Sequence, residues 1–191
     1  MLDALSVSDP LTGLKNLRYF HARLEEACAA AARDGTPLSL LVLGLDRFEA
    51  VADRYGRSAA ERVLAEAAHA VSRAVRGTDT AARLGGAAAH TGGEEFAVLL
   101  PGAGLVAAIG VGERILRAVR EVRVELPEEE EVRVTASAGV ASTEEGCTAP
   151  GDLHARADAA LEAARRAGRD RLGVLDGRAA AVAAPRPGGG G

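Results

Sequence analysis

Apolar residues along this chain change their rhythm several times, and each change marks an element. From Asn16 to Arg33, Leu17, Phe20, Leu24, Ala27 and Ala31 recur at helical spacing. Asp34-Gly35-Thr36-Pro37 ends that helix. Leu38 to Asp46 is apolar almost without a break, the pattern of a strand covered on both faces. Phe48 to Tyr55 continues as a short helix broken near Gly56. Ser58 can cap a second long helix running to about Val75, with Val63, Leu64, Ala67 and Val71 inward. Thr80 to Leu84 and Glu94 to Leu100 read as the strands of a hairpin, stopped by Pro101-Gly102. A third amphipathic helix covers Ala103 to Arg120, a partly alternating strand Val132 to Ser142, and a fourth helix Leu153 to Ala167, ended by Gly168. A last short strand runs from Leu172 to Leu175.

This order of helix, strand, helix, hairpin, helix, strand and helix predicts an α/β (α+β) fold. Helices pack on a mostly antiparallel central sheet, in a ferredoxin-like or palm topology. Residues 1–8 read as the end of a linker, 9–176 as one domain, and 177–191 as an Ala, Pro and Gly tail expected to be disordered. The run Glu128 to Glu131 reads as a solvated turn.

Composition narrows the function. The apolar share of 48% supports a real core, and with aromatics at 3% that core must be built from Leu, Val and Ala. A net charge of −4 argues against a general nucleic-acid binder, which needs a basic face. Cys28 and Cys147 match no metal or redox spacing and read as reduced, incidental thiols. His21, His69 and His154 do not cluster in the sequence and read as surface or packing residues. No apolar run approaches the roughly 18 residues of a membrane span, and no signal peptide is legible, so the chain is expected to be cytoplasmic.

The segment richest in chemistry is Thr91-Gly92-Gly93-Glu94-Glu95-Phe96-Ala97. Glycines let a phosphate approach the backbone, and adjacent carboxylates can hold a hard cation such as Mg²⁺. Further motifs stand around it in order: Asp9-Pro10-Leu11-Thr12-Gly13-Leu14-Lys15-Asn16, Leu43 to Asp53, Arg76-Gly77-Thr78-Asp79 with Arg83, Thr135 to Ala141, and Ala157 to Leu161 with Arg165 and Gly168-Arg169. From about Ser8 to Leu172 the chain resembles the GGDEF domain of bacterial diguanylate cyclases, in the Glu form of the signature.

The resemblance implies a palm-type nucleotidyl cyclase fold and the joining of two GTP into cyclic di-GMP plus pyrophosphate, with two domains meeting as a homodimer when active. It implies Mg²⁺ or Mn²⁺ as cofactor, held by Glu94, Glu95 and Asp46, with Gly92 and Gly93 cradling phosphate beside the catalytic Glu94 and Glu95. Phe48, Asp53, Glu61, Arg165 and Arg169 would bind substrate, and Arg76, Asp79 and Arg83 would form a product-inhibition site. An upstream sensor domain would be the usual partner, with no nucleic acid and no membrane segment in this chain. Asp9 and Asn16 read as fixing the N-terminal turn.

The chain departs from the family pattern where the chemistry sits. The usual Asp-x-Asp is Gly44-Leu45-Asp46, so one metal carboxylate is missing. Asp46 could share the face of Gly44, but lies about 6–7 Å further along the strand. Glu49 stands for the usual Lys, Ala52 for Asn, Arg57 for His and Glu61 for Asp. Arg83-Leu84-Gly85-Gly86 carries a first glycine pair, and the signature follows a net insertion of seven residues. Three readings stay open: a domain that binds cyclic di-GMP through Arg76 and Asp79 with weak or lost catalysis, an active cyclase, and a regulatory GTP-binding or protein-interaction module.

Overall fold

The computed structural model describes residues 6–85, 93–126, 131–176 and 179–182. Among them the elements run α1 (Leu17–Asp34), β1 (Leu38–Leu45), α2 (Phe48–Tyr55), α3 (Arg57–Arg73), β2 (Thr80–Arg83), β3 (Glu95–Pro101), α4 (Leu105–Arg120), β4 (Val124–Glu125), β5 (Glu131–Val132), β6 (Ala136–Ser142), α5 (Pro150–Arg166), β7 (Leu172–Asp176) and β8 (Ala179–Val182). Six strands make one sheet in the order β2-β3-β1-β6-β7-β8, and β4 and β5 form a separate two-stranded ribbon. Every pairing is antiparallel except β6 with β7.

The uninterrupted apolar run explains why β1 is central. All eight of its residues are buried, because the strand is covered from both faces. On one face Leu41, Leu43 and Leu45 pack with Val63, Leu64 and Val71 of α3 and Ile115 and Val119 of α4. On the other, Leu38, Leu40 and Val42 meet Phe20 and Leu24 of α1 and Leu153 and Leu161 of α5. Each such buried leucine contributes about 1.5–3 kcal/mol.

α5 sits unusually close to the sheet. A Cβ added to Gly139 on β6 would overlap the backbone of Ala157 and Leu161, and one on Gly173 of β7 would overlap the backbone of Ala160. These two neighbouring glycines, paired across β6 and β7, admit the helix backbone itself. The close seating brings the last turn of α5 against the end of β1.

The structure corrects several boundaries. α3 begins at Arg57 behind an N-cap at Gly56, so Ser58 lies inside the first turn instead of capping it. α5 begins at Pro150, earlier than its apolar rhythm, because proline suits the first turn of a helix. The predicted strand 132–142 divides: Glu131–Val132 pairs with β4, and only Ala136–Ser142 joins the main sheet. The tail expectation fails at Ala179–Val182, which adds β8 to the sheet edge through backbone pairing with β7. Glu131 belongs to a strand, and Glu128 to Glu130 lie outside the described residues.

The N-terminal turn follows the sequence reading. Asp9 Oδ1 accepts from the Thr12 N–H at 2.9 Å and the Thr12 hydroxyl at 2.7 Å, and Asn16 caps α1 by accepting from the Tyr19 N–H at 2.9 Å. His21 and His154, far apart in sequence, meet with ring centroids 6.4 Å apart, both against Phe20. Cys28 and Cys147 are buried free thiols in the α1–α5 layer, and burial pushes both thiols up.

Candidate functional site

The C-terminal end of β1, the start of β3, the last turn of α5 and the loop after it converge at one edge of the sheet. Register places Gly44 directly opposite Glu95 on β3 and Ser137 on β6. Strand alternation turns the Gly44 and Glu95 positions toward α5. There Arg165 extends across the strand pair: a Cβ at Gly44 would overlap its guanidinium Nη2 and lie 3.4 Å from Glu95 Cγ. The same Nη2 donates to Glu95 Oε1 at 3.1 Å, and Nη1 donates to Glu162 Oε1 at 2.8 Å. Arg165 and Glu95 are 24% and 17% exposed, so the pair is well shielded from solvent screening.

Burial works against the charge on Arg165, but the Glu162 hydrogen bond and the Glu95 carboxylate outweigh it and hold the guanidinium charged more firmly than usual. Burial likewise raises the Asp158 carboxyl, about two turns earlier on α5. There His154 and Arg165 favour the carboxylate while the negative charges of Glu95 and Glu162 oppose it.

Asp46 is held by its neighbours. Its Oδ1 accepts from the Ser137 hydroxyl at 2.7 Å, and its Oδ2 from the Thr135 hydroxyl at 2.7 Å and the Asp170 N–H at 3.0 Å. The Asp46 N–H donates to the Thr135 carbonyl at 2.8 Å. These bonds tie the end of β1 to the loop before β6 and to the turn after α5. That turn has left-handed backbone at Arg169 (φ 64°) and Asp170 (φ 49°), and Arg120 braces it through a 2.7 Å bond to Asp170. Arg169 lies exposed in this turn, and its carbonyl accepts from Arg171.

Glu94 differs from both. Its Oε2 is buried and has no hydrogen-bond partner among the described residues. A buried carboxylate oxygen without a partner is costly and points to an absent donor or cation.

The hairpin base survives the insertion. Arg83 pairs with Phe96, and the Leu84 N–H donates to the Glu95 carbonyl at 2.8 Å. Gly85 packs so tightly on Gly93 (φ 82°) that a Cβ there would overlap the Gly93 backbone. The two glycines flanking the inserted residues therefore close the hairpin, while Gly92 lies outside the described residues.

Arg83 is committed to structure. Nη1 meets Asp9 Oδ2 at 3.1 Å and Oδ1 at 3.2 Å, and Nε donates to the Gly93 carbonyl at 2.9 Å. Burial raises the Asp9 carboxyl, but the Thr12 bonds and Arg83 outweigh it and hold it below its usual range.

Arg76 and Asp79 stand together in a tight turn. The Asp79 N–H donates to the Arg76 carbonyl at 3.0 Å, and Asp79 Oδ2 accepts from the Arg76 N–H at 2.8 Å. The carboxylate thus braces the turn through the backbone and leaves the guanidinium exposed, without a partner among the described residues.

Of the remaining candidates, Phe48 opens α2 and packs on the α3–α4 core, and Asp53 is exposed on the same helix. Glu61 pairs with exposed Arg57 at 2.9 Å. The structure brings Gly44, Glu94, Glu95, Asp46, Arg165 and Asp170 to one edge, and Arg76 with Asp79 to a separate turn; Arg83 goes to Asp9. Sequence reasoning missed Glu162, Ser137 and Asp170 as partners. Glu162 stands three residues before Arg165 on the helix, a spacing that could have flagged the pair; the others come from strands and loops remote in the chain.

A divalent ion does not fit this donor set as it stands. Glu95 is neutralised by Arg165, Asp46 accepts three protein hydrogen bonds, and Glu94 presents a buried oxygen without a partner among the described residues. Among the described residues no group of three His, Cys, Asp or Glu could hold a metal. Nor is any described helix long and apolar enough to cross a membrane.

A family profile described as "Diguanylate cyclase, GGDEF domain" matches residues 6–171. The chain is 39% identical over 172 residues to the diguanylate cyclase DgcP of Pseudomonas aeruginosa, covering 88% of this chain and 24% of that protein. It is 34% identical over 169 residues to the response regulator PleD of Caulobacter vibrioides, covering 88% and 36%. It therefore spans well under half the length of these relatives.

Among solved structures, it resembles the diguanylate cyclase SiaD of Pseudomonas aeruginosa, solved with its activator SiaC, at TM-score 0.81 and 38% identity, covering 91% of this chain and 64% of that one. It also resembles the GGDEF domain of DgcB from Caulobacter crescentus, solved with c-di-GMP, at TM-score 0.80 and 31% identity, covering 88% and 92%. With a profile match across most of its length and relatives above 30% identity, this chain belongs to the GGDEF domain family of diguanylate cyclases.

Proposed function

We propose that this domain acts in cyclic di-GMP signalling by binding cyclic di-GMP at Arg76 and Asp79, with a cyclase step that is weak or lost. The observation that carries the binding half is the Arg76–Asp79 turn, where the guanidinium is exposed and unpaired among the described residues while the carboxylate fixes the backbone beneath it. A guanidinium so presented can donate two parallel bonds to a guanine's O6 and N7, or to a phosphate. Asp79 Oδ1 can accept from the guanine N1 or N2 edge. A similar domain, that of DgcB, was solved with c-di-GMP. Because Arg83 is bound to Asp9, the ligand contacts are assigned to Arg76 and Asp79.

The catalytic half rests on Gly44 and Arg165. Family members generally use a divalent metal, and here one carboxylate is absent and a second is paired with arginine. Calorimetric titration with cyclic di-GMP tests the binding. Wild type is expected to bind, and Arg76→Ala to lose at least about tenfold in affinity, the loss of a good bidentate pair. Binding unchanged by Arg76→Ala would refute the assignment.

One observation favours the second reading, an active cyclase turning two GTP into cyclic di-GMP plus pyrophosphate. Glu94 Oε2 is buried and open, an acceptor awaiting a donor or cation. In that reading two copies meet as a homodimer, each presenting one GTP, with Phe48, Asp53, Glu61 and Arg169 at the nucleotide. Incubation with GTP and Mg²⁺ or Mn²⁺, followed by chromatography with mass detection, decides: product that vanishes in Glu94→Ala supports the active cyclase.

A further inference from the structure

The overlap of a Gly44 Cβ with Arg165 couples two positions that lie far apart in the chain. Gly44 is the only glycine of β1, and Arg165 Nη2 occupies the space its Cβ would take, reaching there from α5 while bonding Glu95 and Glu162 together. The cation thus stands beside the backbone of one strand and the carboxylate of the other.

We propose that Arg165 is the resident cation of this edge, matched to Gly44, so that the edge takes no divalent ion unless both residues are changed. This deepens the reading of a weakened cyclase step and rests on it. The physical argument is competition for one charge. Glu95 carries a single negative charge, already neutralised by a partly buried, hydrogen-bonded guanidinium that gives up its partners only at the cost of being left partly desolvated and unpaired. Glu94 by itself offers one carboxylate, whereas hard divalent ions prefer several oxygen ligands. Restoring an aspartate at position 44 does not by itself create a metal site. The new carboxylate arrives beside the Arg165 guanidinium and pairs with it, converting a one-carboxylate clasp into a two-carboxylate clasp.

The test titrates Mn²⁺ alone, without nucleotide, followed by the electron paramagnetic resonance of free Mn²⁺, on folded protein checked by circular dichroism. Wild type and Gly44→Asp are expected to bind Mn²⁺ within about threefold of each other, and Gly44→Asp/Arg165→Lys, with a shorter and single-headed cation, at least about tenfold tighter. Gly44→Asp alone reaching that gain, or the double variant gaining nothing, overturns the proposal. Should that double variant not fold, Gly44→Asp/Arg165→Gln decides: it keeps an amide to bond Glu95 but removes the charge, and Mn²⁺ affinity should rise at least about fivefold over Gly44→Asp alone. No rise overturns the proposal. Because no nucleotide is present, this result stands apart from the cyclic di-GMP and cyclase assays, so either reading can fail without the other.

Discussion

At the scale of single residues, the ionic contacts divide into shielded ones that hold the fold and exposed ones that solvent screens. Arg83 with Asp9 belongs to the first kind, at 11% and 13% exposure, and joins the N-terminal turn to the signature hairpin. Asp9→Asn should cost about 2–3 kcal/mol at neutral pH, since it leaves Arg83 buried with a weakened partner. The pH dependence fixes the sign. Because the folded carboxyl titrates below its ordinary value of about 3.9, its stabilisation is complete above that pH and disappears as pH falls through the lower folded value. Urea melts of wild type and Asp9→Asn should differ by a constant amount well above the ordinary carboxylate value and converge as pH falls through the lower folded value; a gap that widens on acidification would contradict the assignment. Asp46 follows the same logic. Asp46→Ala orphans the hydroxyls of Thr135 and Ser137 and the Asp170 N–H, and should cost about 2–4 kcal/mol in the same melts. That residue was legible in the sequence as a carboxylate near the site, but its role was not. The strand pattern placed Asp46 at the end of the predicted strand 38–46, while the hydroxyls that saturate it come from Ser137 of β6 and Thr135 just before it, and a further N–H from Asp170 in the turn after α5.

At the scale of elements, the helices and central strand were legible because their apolar rhythms are long and regular, and α2 runs between the very residues the sequence suggested. What failed was set by backbone pairing instead of side-chain pattern. The β4–β5 ribbon consists of two residues on each side, too few for any periodicity, and β8 is drawn from an alanine-rich segment that composition alone assigns to disorder. Glycines told more than their number suggested. Gly139 and Gly173 fix how closely α5 lies on the sheet, and thereby whether Arg165 reaches Gly44. Gly139→Ala should therefore push α5 outward, cost about 1–3 kcal/mol by overpacking, and loosen the Arg165–Glu95 contact. The hairpin gives a complementary case. Gly85 and Gly93 already touch at its base, so removing residues 86–92 joins Arg83-Leu84-Gly85 directly to Gly93-Glu94-Glu95 and returns the signature to its unbroken spacing. Loop closure depends only weakly on length, at about 0.6 kcal/mol per doubling, so stability by urea melt should change by less than about 1 kcal/mol. A large loss would mean that the inserted residues hold the hairpin together.

At the scale of the whole molecule, ligand binding and unfolding are linked, which makes the Arg76–Asp79 turn measurable without knowing the protein's input signal. The turn follows α3 and leads into β2, an edge strand bonded to the central β3. A ligand held there by the folded turn has no equivalent site in the unfolded chain, where Arg76 and Asp79 are no longer held in a turn. Cyclic di-GMP at a hundredfold excess over its dissociation constant should therefore stabilise the domain by about 2.7 kcal/mol. For a domain of this size, each kcal/mol raises Tm by about 2–4 °C, so the melting temperature should climb by about 5–11 °C. The shift must depend on ligand concentration logarithmically and fall by about half or more in Arg76→Ala, while the ligand-free Tm of that variant stays near wild type because its exposed guanidinium carries no partner among the described residues. Asp79→Asn separates the two roles of the carboxylate. It keeps an oxygen to brace the Arg76 N–H but gives up the charge that would accept from guanine, so the fold should hold while the ligand-dependent shift shrinks. A shift of equal size in wild type and Arg76→Ala would place the ligand elsewhere, and the cyclic di-GMP function of the domain would then have to be sought at the Gly44–Glu95 edge.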